Sequence, residues 1–189
     1  LREMDYFAHI AWSYILFNKT KKPFYAILFG VLPDSLSWLF FTIYLLFKGE
    51  SFQQAAGGIP DWVFTLYNIS HSMFTFLLVL GIVYLIWRKI PIYIWAWPIH
   101  ILIDIPTHTR EFLPTPFLWP VSEWVFPGIS WGTPWFMFTN WTIITFVLIS
   151  LYILKKRKKN TPITVFLKLL SKKQKLGYMM ITMMIRNYF

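Results

Sequence analysis

The stretch FYAILFGVLPDSLSWLFFTIYLLF, residues 24–47, decides what kind of protein this is. Coiled as an α-helix at about 1.5 Å per residue it reaches about 36 Å, more than the roughly 30 Å of a bilayer's hydrocarbon core. Its one charged side chain is Asp34, in the middle and directly after Pro33. A mid-span proline leaves a backbone carbonyl without its helical donor, and a carboxylate at that depth costs about 2.5–3.5 kcal/mol on insertion scales. The pair predicts a kink or break in a membrane-spanning helix, and a reason for the carboxylate to be there.

The rest of the chain agrees with this reading. Of 189 residues, 57% are hydrophobic and only 14% charged, where a soluble domain carries about 25% charge. The composition fits an all-α integral membrane protein and excludes a large extramembrane domain. Residues 6–17 are apolar but too few to cross unaided, so a half-span or tilted helix is expected there. Residues 67–87 read as a second full crossing, 92–105 as a shorter one closed by Pro106, and 135–154 as the last, ended by Lys155-Lys156-Arg157-Lys158-Lys159. The expectation is four to five transmembrane helices, one of them short or broken. Two irregular loops separate them. Residues 48–63 contain Gly57, Gly58 and Pro60; residues 106–134 contain six of the twelve prolines with Trp119, Trp124 and Trp131.

The net charge of +10 raises the question of nucleic acid, but ten of the eighteen Lys and Arg follow residue 154. A basic run directly after an apolar segment is a stop-transfer flank on anionic headgroups, which makes membrane lipids the partner and leaves no nucleic-acid role. If each segment changes side, fifteen of the basic residues share one face and only Arg2, Lys48 and Arg110 lie on the other. The positive-inside rule then places the C-terminus in the cytoplasm of a prokaryotic cell, in a multi-pass inner-membrane protein with both loops outside. A helical membrane domain, residues 1–154, is followed by a basic tail, residues 155–189. Val165, Phe166, Leu169 and Leu170 among lysines read there as an amphipathic surface helix.

Without cysteine, any metal must sit on His, Asp or Glu. All four histidines, His9, His71, His100 and His108, lie in or just beyond apolar segments, and Asp34 and Asp104 are the two acids within them. His100 and Asp104 are spaced i, i+4, which puts a nitrogen and an oxygen on one helical face. Neutral imidazole with carboxylate suits zinc, manganese or iron. Other readings stand beside this one: an intramembrane His that only hydrogen-bonds a neighbouring helix, Asp34 as a helix cap, and His100–Asp104 as a buried pair.

His9, then Leu32-Pro33-Asp34, Ser70-His71-Ser72, His100-x-x-x-Asp104 and the proline-rich Thr115-Pro116-Phe117-Leu118-Trp119-Pro120 follow one another in an order that resembles the prokaryotic family of predicted membrane-bound metal-dependent hydrolases. The resemblance covers roughly residues 4–154, with a more distant similarity to zinc-dependent phospholipase C proteins. It implies His9, Asp34, His71, His100 and Asp104 as metal ligands or their immediate partners. Many members carry a further His-Arg pair shortly before the Ser-His-Ser motif. This chain reads Phe64-Thr65-Leu66-Tyr67-Asn68-Ile69-Ser70 instead, which makes His108 the candidate replacement ligand.

The expected function is metal-dependent hydrolysis of an amphiphilic phosphoester or ester at the outer leaflet. A metal-activated water would attack, Asp34 or Asp104 would serve as catalytic base, and Arg110 would bind the substrate's phosphate. Two alternatives predict different things. A cation or proton transporter needs polar residues on both leaflets, and a non-catalytic membrane protein would hold a purely structural metal or polar cluster.

Overall fold

The computed structural model describes residues 5–55, 58–111, 113–159, 170–176 and 179. Among them every regular element is helical. They group into two compact units, residues 1–144 and 145–189.

Helix α1 (Tyr6–Phe17) begins where Asp5 accepts the Ala8 backbone N–H at 3.0 Å, a cap that satisfies one of the orphan donors of a first turn. Helix α2 (Pro23–Asp34) opens with proline at its first position, where no donor is missed. A π-helical turn (Ser35–Leu39) follows, then α3 (Phe40–Lys48), which Gly49 closes in the left-handed conformation at φ 69°. Glu50 N–H reaches Leu45 O and Gly49 N–H reaches Leu46 O, the paired bonds of a glycine C-cap. The break expected at Pro33-Asp34 therefore takes the form of a π turn, and Pro23–Lys48 remains one apolar stretch long enough to cross. Hydroxyls add bonds around the π turn: Ser35 donates to Val31 O at 2.7 Å and Ser37 to Asp34 O at 3.2 Å.

After the short α4 (Phe52–Ala55), the expected crossing at 67–87 has a different shape. Helices α5 (Asp61–Ser70) and α6 (Met73–Trp87) meet at a 60° bend. Ser72 causes it: its backbone is extended and its hydroxyl caps α6 by accepting from Thr75 N–H at 3.2 Å, which ends one helix and starts the next. A 3₁₀ turn (Ile92–Trp95) leads into α7 (Ala96–Thr107), which carries Pro106 within its last turn rather than stopping before it. Helix α8 (Pro134–Lys159) also runs further than expected, through the basic residues after 154. Lys and Arg are good helix formers, so charge marks the membrane boundary without ending the helix.

By length and composition two stretches, Pro23–Lys48 and Pro134–Arg157, can cross a membrane, and the bent α5–α6 pair can serve as a third. The tail expected to form a surface helix lies mostly outside the described residues; 170–176 are helical.

Among the described residues, three apolar clusters pack the interior of the first unit. Trp38, Phe41 and Leu45 pack with Val63 and Tyr67; Phe76 with Ile94, Trp97 and Ile101; and Phe17 with Ala26 and Ala96. Gly30 sets how closely α1 and α2 approach, since a Cβ there would lie 1.9 Å from Ser13 Oγ. Large apolar side chains of this unit are exposed, Leu77, Leu78 and Leu85 on α6 and Phe138 on α8, while the buried side chains include His9, Asp34, His71, His100, Asp104 and His108. Apolar outside and ionisable inside is the pattern that hydrocarbon solvent selects.

Candidate metal centre

Four side chains from three places in the chain converge. Asp34 closes α2 immediately before the π turn. His71 occupies the bend between α5 and α6, and His100 and Asp104 sit one turn apart on α7. One ligand atom from each lies within 4.8 Å of all the others, and all four residues are buried, with His71 at 0% exposure and Asp34 at 5%.

The distances within this group carry information about what it can hold. His71 Nε2 is 3.5 Å from Asp34 Oδ1, 3.4 Å from Asp104 Oδ2 and 3.2 Å from His100 Nε2. His100 Nε2 is 2.9 Å from Asp104 Oδ2 and 3.8 Å from Asp34 Oδ1. These five edges centre on about 3.4 Å. A tetrahedron of N and O ligands at about 2.0–2.1 Å from a zinc-sized ion has edges of about 3.3–3.4 Å.

Protonation leads to the same centre. His100 Nδ1–H donates to Gly30 O at 2.7 Å, and His71 Nδ1–H donates to Tyr67 O at 3.0 Å. Each backbone carbonyl assigns the tautomer of the ring it faces, leaving Nε2 as a bare lone pair, the arrangement that orients metal-ligating histidines. Two such lone pairs and two carboxylates then face one point. Neither Asp104 oxygen accepts a hydrogen bond of normal geometry, although imidazole nitrogens lie close to both. Two buried carboxylates facing imidazole nitrogens, with both Asp104 oxygens unsatisfied, call for positive charge, and a divalent cation would balance the two carboxylates. The donor set therefore fits a divalent metal.

The other expected residues fall around this group. His9, from α1, approaches through the second oxygen of Asp104, with Nε2 3.1 Å from Oδ1. Its ring lies 3.9 Å from that of His100, tilted by 32°. His108 sits just past α7 with Nδ1 3.2 Å from Asp104 O and 3.8 Å from Oδ1, outside the four-residue group. Arg110 is exposed, and its guanidinium donates to Val125 O at 3.4 Å.

Three residues not singled out in the sequence shape the centre. Tyr67 stacks on His71 and His9 lies against His100, each with ring centroids 3.9 Å apart, so each of the two imidazoles is covered on one face by another ring. Gly30 supplies the carbonyl that orients His100. Trp131 packs edge-on against His9 with centroids 5.7 Å apart. It is brought there by a segment whose backbone closes over the end of α7: Gly128 N–H to His108 O, Ile129 N–H to Pro106 O and Trp131 N–H to Thr107 O. Tyr67 stands four residues before His71, a local spacing the sequence could have signalled, whereas Gly30 lies 70 residues from His100 and no spacing marks it. Comparison of the chain with family models, with curated proteins and with solved structures finds no match, so the geometry of this centre is what speaks for its chemistry.

Proposed function

We propose that this chain is a membrane-embedded metal-dependent hydrolase acting on an amphiphilic phosphoester or carboxylester. The observation that carries the reading is the convergence of one ligand atom each from Asp34, His71, His100 and Asp104, all buried and within 4.8 Å of one another. Zinc suits that spacing and donor set best, with manganese and iron as the other ions of matching ligand preference. An ion bound there would acidify a coordinated water toward neutral pH and polarise an ester oxygen. The residues divide the remaining work. His71 and His100 present fixed lone pairs, and Asp104 spans the group and His9 with its two oxygens. Asp34, at the longest distances from the histidines, is the carboxylate best able to leave the ion and take a proton as general base. Arg110, six residues beyond Asp104, is the cation available to a substrate phosphate.

The same reading includes four to five spans, with the short α1 and α7 completing the bundle, and a prokaryotic inner membrane with the basic tail in the cytoplasm. The fifteen-to-three division of basic residues supports that orientation. It also retains the family resemblance drawn from the motif order. One observation favours a second reading: ligands this thoroughly buried suit a structural ion in a non-catalytic protein as well.

The test is elemental analysis of detergent-purified protein and of a His100→Ala, Asp104→Asn double variant, followed by a panel of phospholipids and carboxylesters. Near-stoichiometric zinc, manganese or iron lost in the variant, with metal-dependent cleavage of a panel member, is expected. Metal without cleavage of any substrate moves the assignment to the structural ion. Absence of metal after reconstitution refutes both.

A further inference from the structure

A cavity of 320 Å³ opens between α5 and the loop that follows α7, and none of the four centre residues lines it. That volume is at the low end of the roughly 300–1,000 Å³ typical of small-molecule sites. Its walls are apolar and aromatic, with Phe64, Trp119 and Val125 among them, and Asn68, Ser122 and Glu123 are its polar edge. The loop is held in place by its backbone. Met73 N–H donates to Phe117 O, the Ser72 hydroxyl to Trp119 O and the Tyr67 hydroxyl to Leu113 O, so the cavity is pre-formed rather than assembled by a ligand.

We infer that this cavity is a binding site for an alkylammonium group, an amine or quaternary ammonium carrying an apolar chain. The charge of the lining decides the sign. Glu123 is its one ionised residue, and no cation pairs with it among the described residues. An anionic headgroup would meet that carboxylate, and the Asn68 amide and Ser122 hydroxyl donors offer it no compensating charge. An ammonium gains the ion pair, the Asn68 and Ser122 oxygens and the aromatic lining of Trp119 and Phe64, rings of the kind that attract cations. The volume admits a headgroup with its first few methylenes, and the rest of the chain extends into the apolar surroundings. Tyr67 lines the cavity and stacks on His71, so one aromatic ring separates the two sites. The inference does not rest on the hydrolase reading, because the cavity binds its ligand whether or not a bond is cleaved.

The experiment titrates octyltrimethylammonium, octanol and octyl sulfate into the full chain in neutral maltoside detergent and follows tryptophan fluorescence. Saturable binding of the ammonium, tighter than that of octanol and much tighter than that of octyl sulfate, is expected. Glu123→Gln, at an exposed position where folding is not at stake, should weaken ammonium binding about tenfold or more and leave octanol binding unchanged. Phe64→Ala should weaken both. Octyl sulfate binding as tightly as the ammonium, or ammonium affinity unaffected by Glu123→Gln, overturns the inference. Repeating the titration in nanodiscs of phosphatidylethanolamine and of phosphatidylglycerol identifies the source. Competition by the first alone marks a lipid headgroup, and equal binding in both marks a free amine.

Discussion

Substituting Gly30 by alanine tests the close approach on which the centre depends. The added methyl would stand 1.9 Å from Ser13 Oγ, 2.9 Å from Ser13 Cβ and 3.6 Å from Ala96 Cβ. Rotating the serine hydroxyl away relieves the first contact only, because Cβ is fixed to the backbone, so α1 must move off α2. Helix propensity pulls the other way, with alanine favoured over glycine by about 1 kcal/mol in a helix interior. Overpacking costs about 1–3 kcal/mol. Displacing Gly30 O from His100 Nδ1, now 2.7 Å apart, forfeits about 1 kcal/mol more. The balance is a net loss of about 1–3 kcal/mol, which for a chain of this length lowers the melting temperature by about 2–12 °C. Thermal unfolding followed by intrinsic tryptophan fluorescence in detergent measures it, with metal content recorded alongside. Because the obstacle is Ser13, adding Ser13→Gly should recover much of the loss, with a coupling of about 1 kcal/mol or more in the double-mutant cycle. A Gly30→Ala protein as stable as the parent, or a cycle without coupling, would refute the reasoning.

Other substitutions probe other links. His9→Ala should weaken metal binding by about 10–100-fold while stoichiometric loading persists at saturation, as for a residue that orients a ligand; abolition of binding, as expected for His100→Ala, would make His9 a ligand itself. Trp97→Phe removes the indole N–H that donates to Ser70 O at 2.8 Å and should destabilise the protein by about 1–2 kcal/mol; an unchanged melting temperature would show that the bond contributes nothing. Gly128→Ala would put a methyl 2.5 Å from both His108 O and Pro106 O, backbone atoms that cannot turn aside. Faster proteolysis within residues 106–134 is the expected result, and parental resistance would contradict the closure of that segment over α7.

The sequence was most legible where burial of charge is expensive. Asp34, His71, His100 and Asp104 stood out because hydrocarbon tolerates such side chains only with partners, and the structure brings those four together. His100–Asp104 could be paired directly, since i, i+4 is a local geometry, but the place of His108 could not. Its spacing from Asp104 is also i, i+4, yet α7 ends at Thr107 and the next residue's backbone turns extended. Proline and serine were harder to read. Pro33 and Pro106 both sit inside helices here, whereas Ser72 ends a helix by capping the next. What no periodicity conveys is which carbonyl an imidazole will face across 70 residues of sequence, as His100 faces Gly30.

The two imidazoles of the centre differ in how they acquire their orientation, and this bears on the order in which the protein can be made. His71 finds its carbonyl partner four residues upstream, so its tautomer is set as soon as α5 coils, while the ribosome is still adding α6. His100 has no such local partner. It is oriented only when α7, by then fully synthesised, docks beside an α2 that left the exit tunnel long before. A nascent chain paused before residue 96 would thus present one prepared histidine and no centre. An ion held by this centre would be captured last, as a latch on helices already packed.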